Sequence, residues 1–333
     1  MTRLALIGAD VLGTSIALGL KKAKPGQFEI VAAAADPDVL KAVKRMGAAD
    51  QTHSSARKAV EGAEIIILDT PLIHTRDLLE ALSPSIEPGA VVTDTGLIKT
   101  PVIEWANAFL PKGTHFIAGR PVPKADLAGL EDASADVLTG AEYCVVAEPD
   151  SSAEAVQTLV NLAELCGSKP FFLGAREHDT YSAAMGVLPT VISSALMTTT
   201  SSSNSWAEMA RLASGQFGDM TRLADRDPEE SHAASMVNPD DLVHWIDQMI
   251  TNLYTFRNQV KGEKEELFGS FVNAWEQRAR WQAGAVHPDD ASMKPRIDAG
   301  EAMAEMMVGS ILMDRYRNMT GKSRKRWEYF RKG

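Results

Sequence analysis

Short apolar runs alternate with amphipathic stretches through the first half of the chain. The runs are LALIG (4–8), EIVAAAAD (29–36), EIIILDT (64–70), AVVTDTG (90–96), HFIAG (115–119) and EYCVVAE (142–148). Amphipathic segments such as Pro37–Met46 and His74–Leu82 lie between them. Strands without clean alternation, separated by helices, indicate a parallel sheet covered on both faces. Ala153 to Cys166 reads as a helix, with Val156, Leu159, Val160, Ala163 and Cys166 on one face and Gly167 as its cap, and a last strand follows at Pro170–Leu173. Beyond Ala175 strand patterns give way to helical ones: Asp179–Met197, Trp206–Ala213, Pro239–Val260, Glu263–Trp281 and Ile297–Arg317. TTTSSSNS (198–205) reads as an inter-helix turn whose hydroxyls cap the next helix. The expected architecture is α/β: a Rossmann-like parallel-sheet domain over 1–174, then an all-helical domain over 175–333. The helix Pro239–Val260 carries Leu242, Trp245, Ile246, Met249, Ile250 and Leu253 on broad apolar faces, which predicts a homodimer.

The chain has 333 residues, 45% of them hydrophobic, enough for two cores. Its net charge of −10 argues against general nucleic-acid binding, which needs a basic surface. Cys144 and Cys166 show no CxxC spacing and read as small buried thiols. The strand pattern begins at Leu4 with no apolar leader, and no apolar run reaches the ~20 residues of a membrane helix. The expectation is a cytoplasmic protein without a membrane partner. No cluster has metal-ligand spacing, and no motif suggests a covalent nucleophile.

The segment LALIGADVLGTSIALG (4–19) has strand, turn and helix in the arrangement of a dinucleotide-binding loop. There the first glycine permits the bend, the second lets backbone approach the pyrophosphate, and the third packs helix on strand. Gly8 and Gly13 hold the first and third places, and Asp10 holds the second. A carboxylate ~4 Å from a phosphate costs on the order of 1 kcal/mol in water and ~4 near a protein surface. Binding is therefore weakened rather than abolished. Asp36, at the end of the second strand, suits the ribose hydroxyls and favours NAD over NADP. The cofactor set is Gly8, Asp10, Val11, Leu12, Gly13, Asp36, Thr70 and Pro71.

With GADVLGTSIALGL (8–20), ADP (35–37), DTP (69–71), TDTGLIK (93–99), HFIAGRPVPKADLAG (115–129), EHD (177–179), GVLPTVISSAL (186–196) and GQFGDMTRLAD (215–225) in order, the chain resembles the prephenate and arogenate dehydrogenases of tyrosine biosynthesis. The resemblance implies a nucleotide-binding domain followed by a helical dimerisation domain. It also implies an oxidative decarboxylation in which hydride passes to NAD and a histidine takes the hydroxyl proton. Asp219, Thr221 and Arg222 match family positions, Arg222 that of a substrate-carboxylate arginine. Four functional positions differ. Leu97 replaces a serine, Arg120 the catalytic histidine, and Val187 and Thr190 two further histidines, while Asp94, Gly96, Lys99, Pro121, Leu188 and Pro189 remain.

Arginine cannot act as a base, since its pKa exceeds 12, but its guanidinium binds carboxylate or phosphate in bidentate fashion. Arg120 is thus a candidate for both the chemistry and substrate binding with Arg222, unless it pairs with Asp126 or Glu131 instead. His178, opening the helical half, is the other catalytic candidate, with a structural role as its alternative. Three functions fit these residues. The first is an NAD-dependent dehydrogenase of prephenate or a related small cyclic carboxylate with an altered site. The second is a reductase of another small acid or imine, and the third a non-catalytic dimer that binds a ligand or partner. The tail RYRNMTGKSRKRWEYFRKG (315–333) is basic and aromatic, and reads as solvated or docked on an acidic surface.

Overall fold

The computed structural model describes residues 1–124, 127, 129–262 and 264–284. The late helix expected at 297–317, the basic tail and Asp126 lie outside the described residues.

Six strands, β1 (Thr2–Ile7), β2 (Phe28–Ala33), β3 (Gln51–His53), β4 (Ile65–Leu68), β5 (Val91–Asp94) and β6 (His115–Phe116), form a sheet in the order β3-β2-β1-β4-β5-β6. All its pairings are parallel. The connecting helices are α1 (Val11–Ala23), α2 (Pro37–Arg45), α3 (Ala56–Val60), α4 (Leu72–Leu82) and α5 (Thr100–Phe109). The strand order reverses between β1 and β4, the switch point where such sheets bind ligands. Alternate residues of β1 serve opposite cores. Leu4 and Leu6 pack with Ile16, Leu20 and Leu159, whereas Ala5 and Ile7 pack with Val60, Leu79 and Leu82.

The run HFIAG does not stay in this sheet. After β6 the chain turns into β7 (Ala118–Val122), which pairs antiparallel with β8 (Glu142–Val146), itself parallel to β9 (Lys169–Phe172). Gly119 permits the crossing, because a Cβ there would lie 2.8 Å from Thr93 Oγ1 on β5. The edge strand β3 escapes sequence reading because QTH contains no apolar residue. β2 ends at Ala33, so Asp36 caps α2 rather than closing the strand.

After α6 (Ala153–Leu165) come α7 (Ala175–Ser182), a π turn (Ala183–Val187) and α8 (Leu188–Ser201). The expected single helix is interrupted before Pro189, which has no N–H for the ladder. Leu188 N instead bonds back five residues to Ala183 O. The 198–205 stretch is a turn only in its second half. Thr198, Thr200, Ser201 and Ser202 spend their hydroxyls on carbonyls of their own helix, so α8 continues to Ser201. Ser205 makes no side-chain cap for α9 (Trp206–Met209). By length and composition Ala175–Ser201 is apolar enough to cross a membrane. Interspersed Ser and Thr kept it from reading as an apolar run, and its buried His178, Asp179, Ser182 and Ser193 are packed within the protein.

The helices α10 (Gly215–Thr221), α11 (Pro228–Val237), α12 (Pro239–Gly262) and α13 (Lys264–Gln282) complete the described chain. Two compact units result, Met1–Thr251 and Asn252–Gly333. On α12, Leu242 is buried and Trp245, Ile246 and Met249 half-buried, while Ile250 and Leu253 are exposed. In the second unit the Phe256 and Phe271 rings stack with centroids 5.5 Å apart. Cys144 and Cys166 are buried and free.

Candidate active site

A cavity of about 690 Å³ opens at the carboxyl ends of β1, β2 and β4. Gly8 adopts φ +100°, and a Cβ on it would lie 2.0 Å from Asp69 O. A Cβ on Gly13 would lie 2.5 Å from both Asp69 Oδ2 and Leu6 Cδ1. The first and third glycines are thus sterically required. Ala9 is buried in the left-handed region at φ 57°, a strained conformation for a residue with a Cβ.

Asp10 is the N-cap of α1, and its carboxylate accepts the Val11 amide at 2.8 Å. It therefore sits on the helix end that favours a bound anion. Val11 and Leu12 form the first turn of α1. Asp36, Thr70 and Pro71 line the cavity, with the Asp36 carboxylate on the Asp38 amide at 2.8 Å. Asp69, which opens the DTP motif with no role read from it there, is buried beneath the loop. It accepts the Gly13 amide at 2.8 Å and the Thr95 hydroxyl at 2.5 Å. Burial, together with the charge of Asp10, pushes its pKa up to about 6 despite those bonds. Asp10, Asp36, Asp69 and Asp77 line the cavity, and among the described residues no Lys or Arg does.

A smaller cavity of about 230 Å³ lies against Leu97, between the π turn and α11. Gly186, Val187 and Thr190 form one wall, and Arg226, Asp227, Glu230, Ser231 and Ala234 the other. A Cβ on Gly186 would lie 2.4 Å from Leu97 Cδ1, so the leucine fills the space of any side chain there. Asp227 caps α11 through the Glu229 and Glu230 amides. The Glu230 carboxylate accepts the Leu72 and Ile73 amides at 3.0 and 3.3 Å, which ties α11 to the first turn of α4 beside the larger cavity.

A buried charge network supports the region. Lys99, fully buried, donates a short hydrogen bond to Asp94, which also accepts the Gly96 and Gly119 amides. Burial pulls the Lys99 pKa down against the Asp94 charge. Asp179 accepts the Lys99 and Thr100 amides, both at 2.8 Å, and faces His178 Nδ1 at 3.0 Å. Burial works to raise the Asp179 pKa, but those hydrogen bonds hold it below the ordinary value. His178 is buried and its pKa lowered, chiefly by desolvation, so the imidazole is neutral at pH 7. Arg120, on β7, donates to Ser182 Oγ at 2.8 Å. Burial lowers its pKa, and the charge of Arg226 adds to the effect. Glu131 does not pair with it, and among the described residues no carboxylate lies within 4.0 Å of Arg120.

Asp219 and Arg222 are exposed, and Thr221 spends its hydroxyl on Phe217 O. None of the three lines either cavity. Arg226, one residue beyond the last recognised motif, does.

Two family models cover most of the chain. The nucleotide-binding domain of prephenate dehydrogenase matches residues 16–171, and its dimerization domain matches 174–274. The chain belongs to the prephenate dehydrogenase family. The glycine loop carrying Asp10 falls outside the matched residues. This prephenate dehydrogenase family member is 29% identical to the prephenate dehydrogenase of Bacillus subtilis over 276 residues, 82% of the chain and 74% of the relative. It is 25% identical to the cyclohexadienyl dehydrogenase of Zymomonas mobilis over 269 residues, 78% and 89% of the two chains. Its fold matches the A. aeolicus prephenate dehydrogenase solved with hydroxyphenyl propionate and NAD+, with a TM-score of 0.74 at 20% identity, covering 84% and 98% of the two chains.

Proposed function

We propose that this protein is an NAD-dependent oxidoreductase of prephenate or a related small cyclic carboxylate, working with an altered active site. The observation that carries the reading is the cleft at the β1/β4 switch point, whose Gly8 and Gly13 tolerate no side chain. That cradle fits a dinucleotide in shape. Gly8, Val11, Leu12 and Gly13 would hold the pyrophosphate, Asp36 the adenosine ribose, and Thr70 and Pro71 the nicotinamide half, with Asp10 opposing. NAD, when bound, supplies the hydride acceptor. Arg120 anchors the substrate anion, with Asp219, Thr221 and Arg222 from the helical half completing the substrate side in the homodimer. His178, neutral and oriented by Asp179, is the group here able to accept a proton. Residues 1–174 and 175–333 divide these tasks as nucleotide and substrate domains, and the cytoplasm suits such an enzyme.

A non-catalytic reading draws on two carboxylates, Asp10 and Asp69, occupying the amides of the phosphate loop. Calorimetric titration with NADH decides first, followed by the absorbance of reduced cofactor in NAD plus prephenate. Micromolar NADH binding and cofactor reduction establish the enzyme. No binding at millimolar NADH refutes it and leaves a ligand-binding relative of a dehydrogenase.

A further inference from the structure

Arg226 lines the cavity beside Leu97, with Nη1 3.5 Å from Thr190 Oγ1, and no carboxylate among the described residues lies within 4.0 Å of it. The two acids of the same wall are engaged elsewhere. Asp227 holds the amides that open α11, and Glu230 those that open α4. Arg120, which feels the charge of Arg226, also feels the carboxylates of Asp179 and Asp94, whereas the guanidinium of Arg226 faces the cavity. The facing wall carries Gly186 and Val187 beside Leu97, with the Thr190 hydroxyl as its polar group. The volume, about 230 Å³, is below the ~300–1,000 Å³ of drug-sized ligand sites, a size for a compact molecule.

We propose that Arg226, assisted by Thr190, is a substrate-carboxylate group of this cavity and sets its specificity for a small acid with an apolar body. The inference rests on the oxidoreductase reading for the word substrate, but not for the binding. Arg226 provides a planar donor pair for a carboxylate, Thr190 a further hydroxyl, and Leu97 with Val187 the surface against which an apolar ring packs.

The probe is 3-phenylpropionate, with 3-phenylpropionamide as its uncharged counterpart, titrated by calorimetry into the full-length protein with and without NADH. The acid should bind and the amide should bind far more weakly. Arg226→Gln should weaken the acid roughly tenfold to a hundredfold, the loss expected for a charged hydrogen bond, and leave the amide unchanged. Arg226→Lys should recover part of the loss. Equal affinities for the acid in the unaltered protein and Arg226→Gln overturn the proposal. So does a loss in Arg222→Gln that exceeds the loss in Arg226→Gln, or no binding by the unaltered protein at millimolar acid. Should Arg226→Gln fail to fold, Arg226→Lys and Thr190→Val decide by the same comparison. Prephenate turnover in the same preparations separates the two readings. Acid binding through Arg226 without turnover sinks the oxidoreductase alone, whereas turnover with KM untouched by Arg226→Gln sinks this assignment alone.

Discussion

Replacing Asp10 with glycine isolates the feature in which the nucleotide loop departs most from its motif. The Asp10 carboxylate lies 2.8 Å from the Val11 amide at the start of α1. A phosphate drawn to the same helix end would lie about 4 Å from it, where like charges cost ~1 kcal/mol in water and ~4 kcal/mol in a surface environment of lower dielectric. Asp10 is exposed, which places the cost near the lower figure. Glycine is itself an acceptable N-cap and forfeits only a few tenths of a kcal/mol. The net expectation for Asp10→Gly is NADH binding tighter by about 1–2 kcal/mol, roughly five- to thirtyfold.

Calorimetry at pH 7.5 reads this directly, and two controls define the cause. Adenosine, which has no phosphate, should bind both proteins alike. Raising salt toward 1 M, where the screening length falls to ~3 Å, should narrow the gap between them. Equal NADH affinities, or a gap that adenosine reproduces, would refute the electrostatic account and show that Asp10 moves away from the ligand at no cost.

Two further predictions concern buried charge. Asp69→Asn should stabilise the protein above pH 6. The folded carboxyl titrates near 6 against an ordinary 3.8, so its protonated form is favoured by folding, and that contribution is present below pH ~3.8 and lost as pH rises through 6. The variant's advantage, on the order of 3 kcal/mol at pH 8, should vanish by pH 4, and thermal melts that coincide at every pH would contradict it. Asp94→Asn should cost about 3–5 kcal/mol in urea denaturation, because it leaves the Lys99 ammonium buried without its counter-charge. Adding Lys99→Met should restore much of that loss, and a lack of rescue would mean that the two groups are not an ion pair.

The fold was readable from the sequence where one physical signal dominated. Unbroken apolar runs such as EIIILDT can only be strands buried on both faces, and their alternation with amphipathic segments leads to the doubly wound sheet. Reading failed where tertiary contact overrode local pattern. Gly119 lets the chain leave the sheet in the middle of HFIAG, and Pro189 forces a π turn into an otherwise continuous helix. At the site, motif positions were legible as identities but not as placements. Thr221 reads as a substrate residue by motif, yet its hydroxyl bonds to Phe217 O. Asp69 sits in the DTP motif without a role read from it, and Arg226 and Glu230 lie outside every motif; their placements become visible only when β4, α8 and α11 are brought together.

The replaced positions also change meaning once packed. Leu97 in isolation reads as a lost hydroxyl, and Gly186 as a featureless helix residue. Yet a Cβ at 186 would meet Leu97 Cδ1 at 2.4 Å, so a side chain at 186 would make the leucine shift its end. The two residues are a matched pair. With Val187 beside them, the pair makes an apolar surface in the cavity that Arg226 also lines. On the proposed reading, that combination would hold an acid by its carboxylate and leave its body in apolar contact. It cannot handle a substrate hydroxyl through Leu97 or Arg120, so any proton taken from such a hydroxyl must pass to His178, to water or to the substrate itself.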